Sequence, residues 1–71
     1  MRDSGVIQGV QIALGRGVIR PDNAGDDIAF RREDLPEGAF EELREGQWVT
    51  FARVPDQADP TSIFAREIRS A

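Results

Sequence analysis

The stretch Gly15-Arg16-Gly17-Val18-Ile19-Arg20-Pro21-Asp22 limits the fold more than any other part of the chain. Two glycines, one residue apart, lead into a short apolar run that stops at a Pro-Asp turn signal. That pattern reads as a strand whose entry needs small residues, for a bend or for close backbone approach. On a strand, Arg16, Val18 and Arg20 share one face, and Gly17 and Ile19 share the other. If Ile19 faces the core, two arginines face outward from one strand.

The rest of the chain divides around this strand. Val6 to Ile12 alternates in the manner of a strand, although both of its faces carry apolar residues and the core face stays open. Ile12-Ala13-Leu14 then runs apolar into Gly15. This is either a strand end packed over a small barrel or an exposed patch for a partner. Pro21 to Asp26 is a turn, and Ile28-Ala29-Phe30 a third strand. Pairing across that turn would set Arg16, Val18, Ala29 and Arg31 on one surface.

Arg32 to Leu35 breaks the alternation and fits a single 3₁₀ turn before Pro36. Glu37 to Glu45 reads as a long loop pinned by Phe40 and Leu43, too short for an independent helix. After a turn at Gly46-Gln47, Trp48 to Val54 is the clearest strand, with Val49 and Phe51 on one face and Trp48, Thr50 and Ala52 on the other. A polar loop, Pro55 to Pro60, precedes a fifth strand, Ile63 to Ile68. The expected unit is a small all-β, five-stranded antiparallel barrel over residues 5–69, with tails at 1–4 and 70–71. An SH3-like barrel has the same spacing, and closure in either form hides sheet edges.

Composition narrows the chemistry. With 71 residues there is room for one small core. The chain has neither cysteine nor histidine, which removes disulfides, thiolate metal sites and the usual neutral-pH base. No apolar stretch approaches the roughly 20 residues of a membrane helix, so a soluble, cytoplasmic domain is expected. All 9 basic residues are arginine, against 13 acids, for a net charge of -4. That balance disfavours strong, purely phosphate-driven binding but leaves room for a local basic face. Gly15 and Gly17 do not make a phosphate loop, since the third glycine, the helix and the Lys-Ser/Thr pair are missing. Asp26 and Asp27 diverge on a strand, which suits turn capping better than a metal or an acid pair. No cofactor, small-molecule substrate or membrane is implied, and no enzyme is expected.

The order of residues resembles the bacterial cold-shock domain, a five-stranded OB-fold barrel, from about Gly5 to Ile68. The opening glycine and strand are matched by Gly5-Val6-Ile7, and the Gly-x-Gly-x-Ile of the first ribonucleoprotein motif by Gly15 to Ile19. The second motif corresponds to Asp27 to Arg32. The Phe-x-x-Leu-x-x-Gly-Gln-x-Val-x-Phe pattern is complete in Phe40, Leu43, Gly46, Gln47, Val49 and Phe51. Ala65 to Ile68 is a counterpart of the last strand. The family's base-stacking residues are largely replaced: its first-strand tryptophan corresponds to Gly9, its first-motif aromatics to Arg16 and Val18, and the lysine before the glycines to Leu14. In the second motif the aromatic, histidine and following aromatic correspond to Ala29, Arg31 and Arg32.

The resemblance therefore implies single-stranded RNA or DNA as partner. Contacts would come from Arg16, Arg31, Arg32, Phe40, Val18 and Arg20, with arginine stacking and phosphate contacts in place of aromatic platforms. Each candidate has an ordinary structural role beside this one. Arg20 would meet Asp22 or Asp26 at its strand end, Arg32 would pair with Asp34 or near Glu33, and Phe40 would plug the long loop. The alternative function is a protein-interaction surface at Ile12, Leu14 or Trp48.

Overall fold

The computed structural model describes residues 2–23 and 25–71; Met1 of the polar lead-in and Ala24 of the expected turn lie outside the described residues. Five strands, β1 (Asp3–Gln11), β2 (Arg16–Pro21), β3 (Ile28–Arg31), β4 (Trp48–Pro55) and β5 (Ile63–Ser70), close into a barrel in the order β1-β2-β3-β5-β4. This is an OB-fold barrel. Four seams are antiparallel and the fifth, β3 with β5, is parallel. The expected all-antiparallel arrangement is corrected at that seam for a topological reason: directions cannot alternate all the way around a ring with an odd number of strands.

Alternation places the core. In β2, Gly17, Ile19 and Pro21 are buried and Arg16, Val18 and Arg20 exposed. Ile28 and Phe30 of β3, Val49 and Phe51 of β4, and Ala65 of β5 also point inward, with Ile7 of β1. The ambiguous face of β1 is explained by a bulge, where the register with β2 shifts between Ile7 and Gly9. The extra residue lets Ile7 pair with Ile19 and Val10 with Gly17, both inward, while Gly9 and Gln11 pair with the outward Val18 and Arg16. A strict two-residue period could not have done this.

Between the strands, three short elements carry the differences from expectation. Ile12–Leu14 is a 3₁₀ turn, not a packed strand end. Gly15 ends it in the left-handed region (φ 66°), with its N–H donating to the Gln11 carbonyl at 2.9 Å. The turn has no buried residue, so the exposed alternative is the one found. Arg32–Asp34 forms the expected 3₁₀ turn. Residues 37–45 are not all loop: α1 (Ala39–Glu42) is a single helical turn, formed because Phe40 is driven into the core. Burial in tertiary structure, not propensity, stabilises so short a helix. The segments expected as tails are partly paired, Asp3 and Ser4 with Phe51 and Thr50, and Ser70 with Val49.

Two close approaches, at Gly5 against the β2 backbone and at Gly17, fix the barrel's geometry. Gly17 lies opposite Phe30, and a Cβ on Gly17 would collide with the Phe30 ring and, at 2.7 Å, with the Gly9 carbonyl oxygen. Gly17→Ala is expected to lower stability by about 1–3 kcal/mol, as overpacking does. At Gly9 no atom lies within 4 Å of an added Cβ, so Gly9→Ala should stay within about 0.5 kcal/mol of the parent. Thermal unfolding checks the pair, at roughly 4–8 °C per kcal/mol for a domain of this size; equal midpoints for the two variants would contradict the packing.

Candidate nucleic-acid interface

The registers assemble an outer surface in three rows running across the strands. Gln11, Arg16 and Arg31 form the first; Gly9, Val18, Ala29 and Phe64 the second; Trp48, Val6 and Arg20 the third. Members of a row stand side by side, about 5 Å between neighbouring strands. A shallow groove of about 430 Å³ follows the first two rows, lined by Gly9, Gln11, Arg16, Gly17, Val18 and Ala29. Its floor is open because Gly9 has no side chain and Ala29 a short one. Gln11 and Arg16 supply its polar side chains, joined by the Arg16 Nε donating to Gln11 Oε1 at 3.1 Å.

The arginines expected together on this face separate into two kinds. Arg31 is held in place: its Nε donates to Asp34 Oδ2 at 2.8 Å, and its guanidinium lies 4.0 Å from the centre of the Phe64 ring. That hydrogen bond with Asp34 raises the Arg31 pKa above its ordinary value, against a smaller opposing effect of burial. Asp34 Oδ1 is also ion-paired with Arg66 at 3.2 Å, and the Asp34 side chain is only 7% exposed. Arg32 is engaged as well, but not with Asp34 as expected. Its Nε pairs with Glu41 at 3.0 Å, a terminal nitrogen donates to the Ile12 carbonyl at 3.0 Å, and the guanidinium lies 4.9 Å from the Phe40 ring centre. The reason is the chain's path: the 3₁₀ turn sends Arg32 toward α1 and Arg31 toward Asp34.

Arg16 and Arg20 differ. Among the described residues neither is ion-paired with a carboxylate. Arg20 does not meet Asp22 or Asp26; with the Gln8 amide oriented to satisfy both neighbours, its oxygen accepts from Arg20 at 3.2 Å and its nitrogen donates to Asp27 at 2.8 Å. Asp22 is instead bonded by the Ser4 hydroxyl at 2.7 Å. Both free arginines are exposed, with the partly exposed Val18 between them on β2. They stand about 13 Å apart along the strand.

Phe40 is not a surface platform. It is 1% exposed, packs 5.9 Å from Phe30, and is overlaid by Arg32. It is the plug of the long loop, and a base has no access to its ring. The alternative partner surface divides in two. Ile12 and Leu14, 57% and 62% exposed, flank the end of the first row, whereas Trp48, 57% exposed, belongs to the third. About 16 Å of β1 separates them.

Sequence reasoning did not single out Gln11 or Gly9 as groove residues, because the bulge at Gln8 hides their outward orientation. Nor did it join Trp48 to Arg20, which needs two registers at once. A second concavity, about 530 Å³, is lined by Asp34, Pro36, Arg66, Glu67, Ile68 and Arg69. Its Arg66 and Asp34 satisfy each other. No group of three or more metal-ligating side chains and no helix long and apolar enough to cross a membrane occurs among the described residues. No protein-family model matches the chain, and no curated protein matches it either.

Asp34→Ala is expected to lower the unfolding free energy by about 1.5–3 kcal/mol, the range for hydrogen bonds to charged groups. Urea unfolding with an unchanged m-value checks it. A loss below roughly 0.5 kcal/mol would mark the Arg31 and Arg66 contacts as solvated pairs of little weight.

Proposed function

We propose that the protein is a non-catalytic binder of single-stranded RNA or DNA, a divergent relative of the cold-shock domain that reads phosphate more than base. The observation that carries this reading is the pair Arg16 and Arg20. Among the described residues they are free of carboxylate partners on the outer face of β2, one on each side of Val18, with Arg16 and Val18 lining the groove and Arg20 beyond it. OB-fold barrels use this face, around strands 2 and 3, for oligonucleotides. Guanidinium groups bond phosphate bidentately and stack on bases, so two of them can hold a strand across a shallow groove.

The same geometry argues for weak binding. The aromatic platforms, each worth about 1–3 kcal/mol per base, are absent from the groove. Arg31 and Arg32 are engaged within the protein. Two phosphate contacts to a single strand give a slope of log Kd against log salt of roughly 1.4.

A labelled single-stranded oligonucleotide is therefore expected to bind in the micromolar range at low salt, with that shallow slope. Replacing Arg16 and Arg20 together by Glu should weaken it roughly tenfold or more. Neither residue anchors the core, so the double variant should keep the parent's unfolding midpoint. No binding of RNA or DNA at low salt would overturn the proposal.

A second reading has its own support in the exposure of both Ile12 and Leu14 on the one 3₁₀ turn. A partner protein seated there would bury both, with Arg16 and Arg32 at the rim of an apolar centre. Under this reading Ile12→Ser with Leu14→Ser abolishes capture of the partner and leaves oligonucleotide binding untouched.

A further inference from the structure

The chain holds five aromatic residues, Trp48 and four phenylalanines, and no tyrosine. Phe30, Phe40 and Phe51 are buried, and Phe64 lies half-buried beneath Arg31. Trp48 is thus the aromatic ring left largely open to solvent, at 57% exposure. Its place is not arbitrary. Val6 pairs with Trp48 on one side and with Arg20 on the other. The two residues therefore share one row and one face, their backbones two strand spacings or about 10 Å apart.

We infer that Trp48 is the base-stacking platform of this protein, receiving an unpaired base of a single strand whose phosphates lie on Arg20 and Arg16. The inference rests on the nucleic-acid reading above and adds to it a site outside the groove, on the β1–β4 wall. Charge complementarity selects the occupant. Following the surface from Arg16 past Val18 to Arg20 and across Val6 to Trp48 gives cation, apolar floor, cation, aromatic. A polyanion bearing flat apolar groups at regular intervals matches that order. The carboxylates that border it are already engaged: Asp27 is held at one remove through Gln8, and Asp22, two residues on from Arg20, is bonded by the Ser4 hydroxyl. Stacking on an indole is sequence-tolerant, since every base offers a π-face.

Trp48 has the further advantage of reporting on itself. As the single tryptophan of a chain without tyrosine, it is the source of emission excited at the red edge of the ultraviolet band. The protein is titrated at low salt with a single-stranded oligothymidylate, and with an abasic oligonucleotide of equal length as a phosphate-only probe. Anisotropy of labelled oligonucleotide measures binding independently. Saturable quenching of Trp48 with the same midpoint as the anisotropy is expected for oligothymidylate. Trp48→Ala should weaken that binding roughly 5- to 150-fold, and Trp48→Phe should restore most of it. The abasic probe should bind the parent about as weakly as oligothymidylate binds Trp48→Ala. The side chain is exposed, so circular dichroism of both variants should match the parent. Binding by anisotropy without quenching, at equal affinity for Trp48→Ala, overturns the role of Trp48 and leaves the groove reading standing. Absence of binding by anisotropy overturns both.

Discussion

The packing of Gly17 against the Phe30 ring is the contact on which the other features depend. It brings β2 close enough to β3 for a phenylalanine to fill the barrel centre, where Phe40 meets it at 5.9 Å. Phe40 in turn pulls one helical turn out of a segment too short to hold it alone. Because Gly17 must face inward, Arg16, Val18 and Arg20 must face outward. The interior and the candidate site are thus two consequences of one steric requirement, and a substitution that relaxed it would disturb both.

The bulge at Gln8 supplies the second constraint. It keeps β1 apolar on its inner side at both Ile7 and Val10 while turning Gly9 and Gln11 to solvent. The absence of a side chain at Gly9 opens the groove that an aromatic ring would otherwise fill. Asp34 then sorts the arginines. By pairing with Arg31 and Arg66 together it neutralises one end of the surface, and Glu41 does the same for Arg32. An acidic protein is left with a short cationic line on β2, bounded by an exposed tryptophan.

Much of this was legible in the sequence where alternation is strict. The inward and outward sets of β2, β3 and β4 follow from a two-residue period in Gly17 to Arg20, Ile28 to Arg31 and Trp48 to Phe51. Features that break the period were not legible. The bulge masked the inner face of β1, and the apolar run Ile12 to Leu14 read more readily as a packed strand end than as the exposed turn it is, since composition does not distinguish a 3₁₀ turn ending at a left-handed glycine from a strand end. Which arginine is free was beyond the sequence altogether. Arg31 and Arg32 are neighbours in the chain, yet one turns to Asp34 and the other to Glu41 and the Ile12 carbonyl. Those choices belong to the tertiary arrangement, as does the row that sets Trp48 beside Val6 and Arg20.

The central claim is that the outer face of β1 to β3, extended to Trp48, is where this protein meets its ligand. Amide and indole chemical shifts, followed while a short single-stranded oligonucleotide is added, test it most directly. The expected result is a contiguous set of shifts at Gly9, Gln11, Arg16, Val18, Ala29, Arg20, Val6 and the Trp48 indole N–H, with the second concavity around Arg66 and Ile68 unaffected. Shifts confined to Ile12, Ala13 and Leu14, or to the Arg66 side, would contradict it.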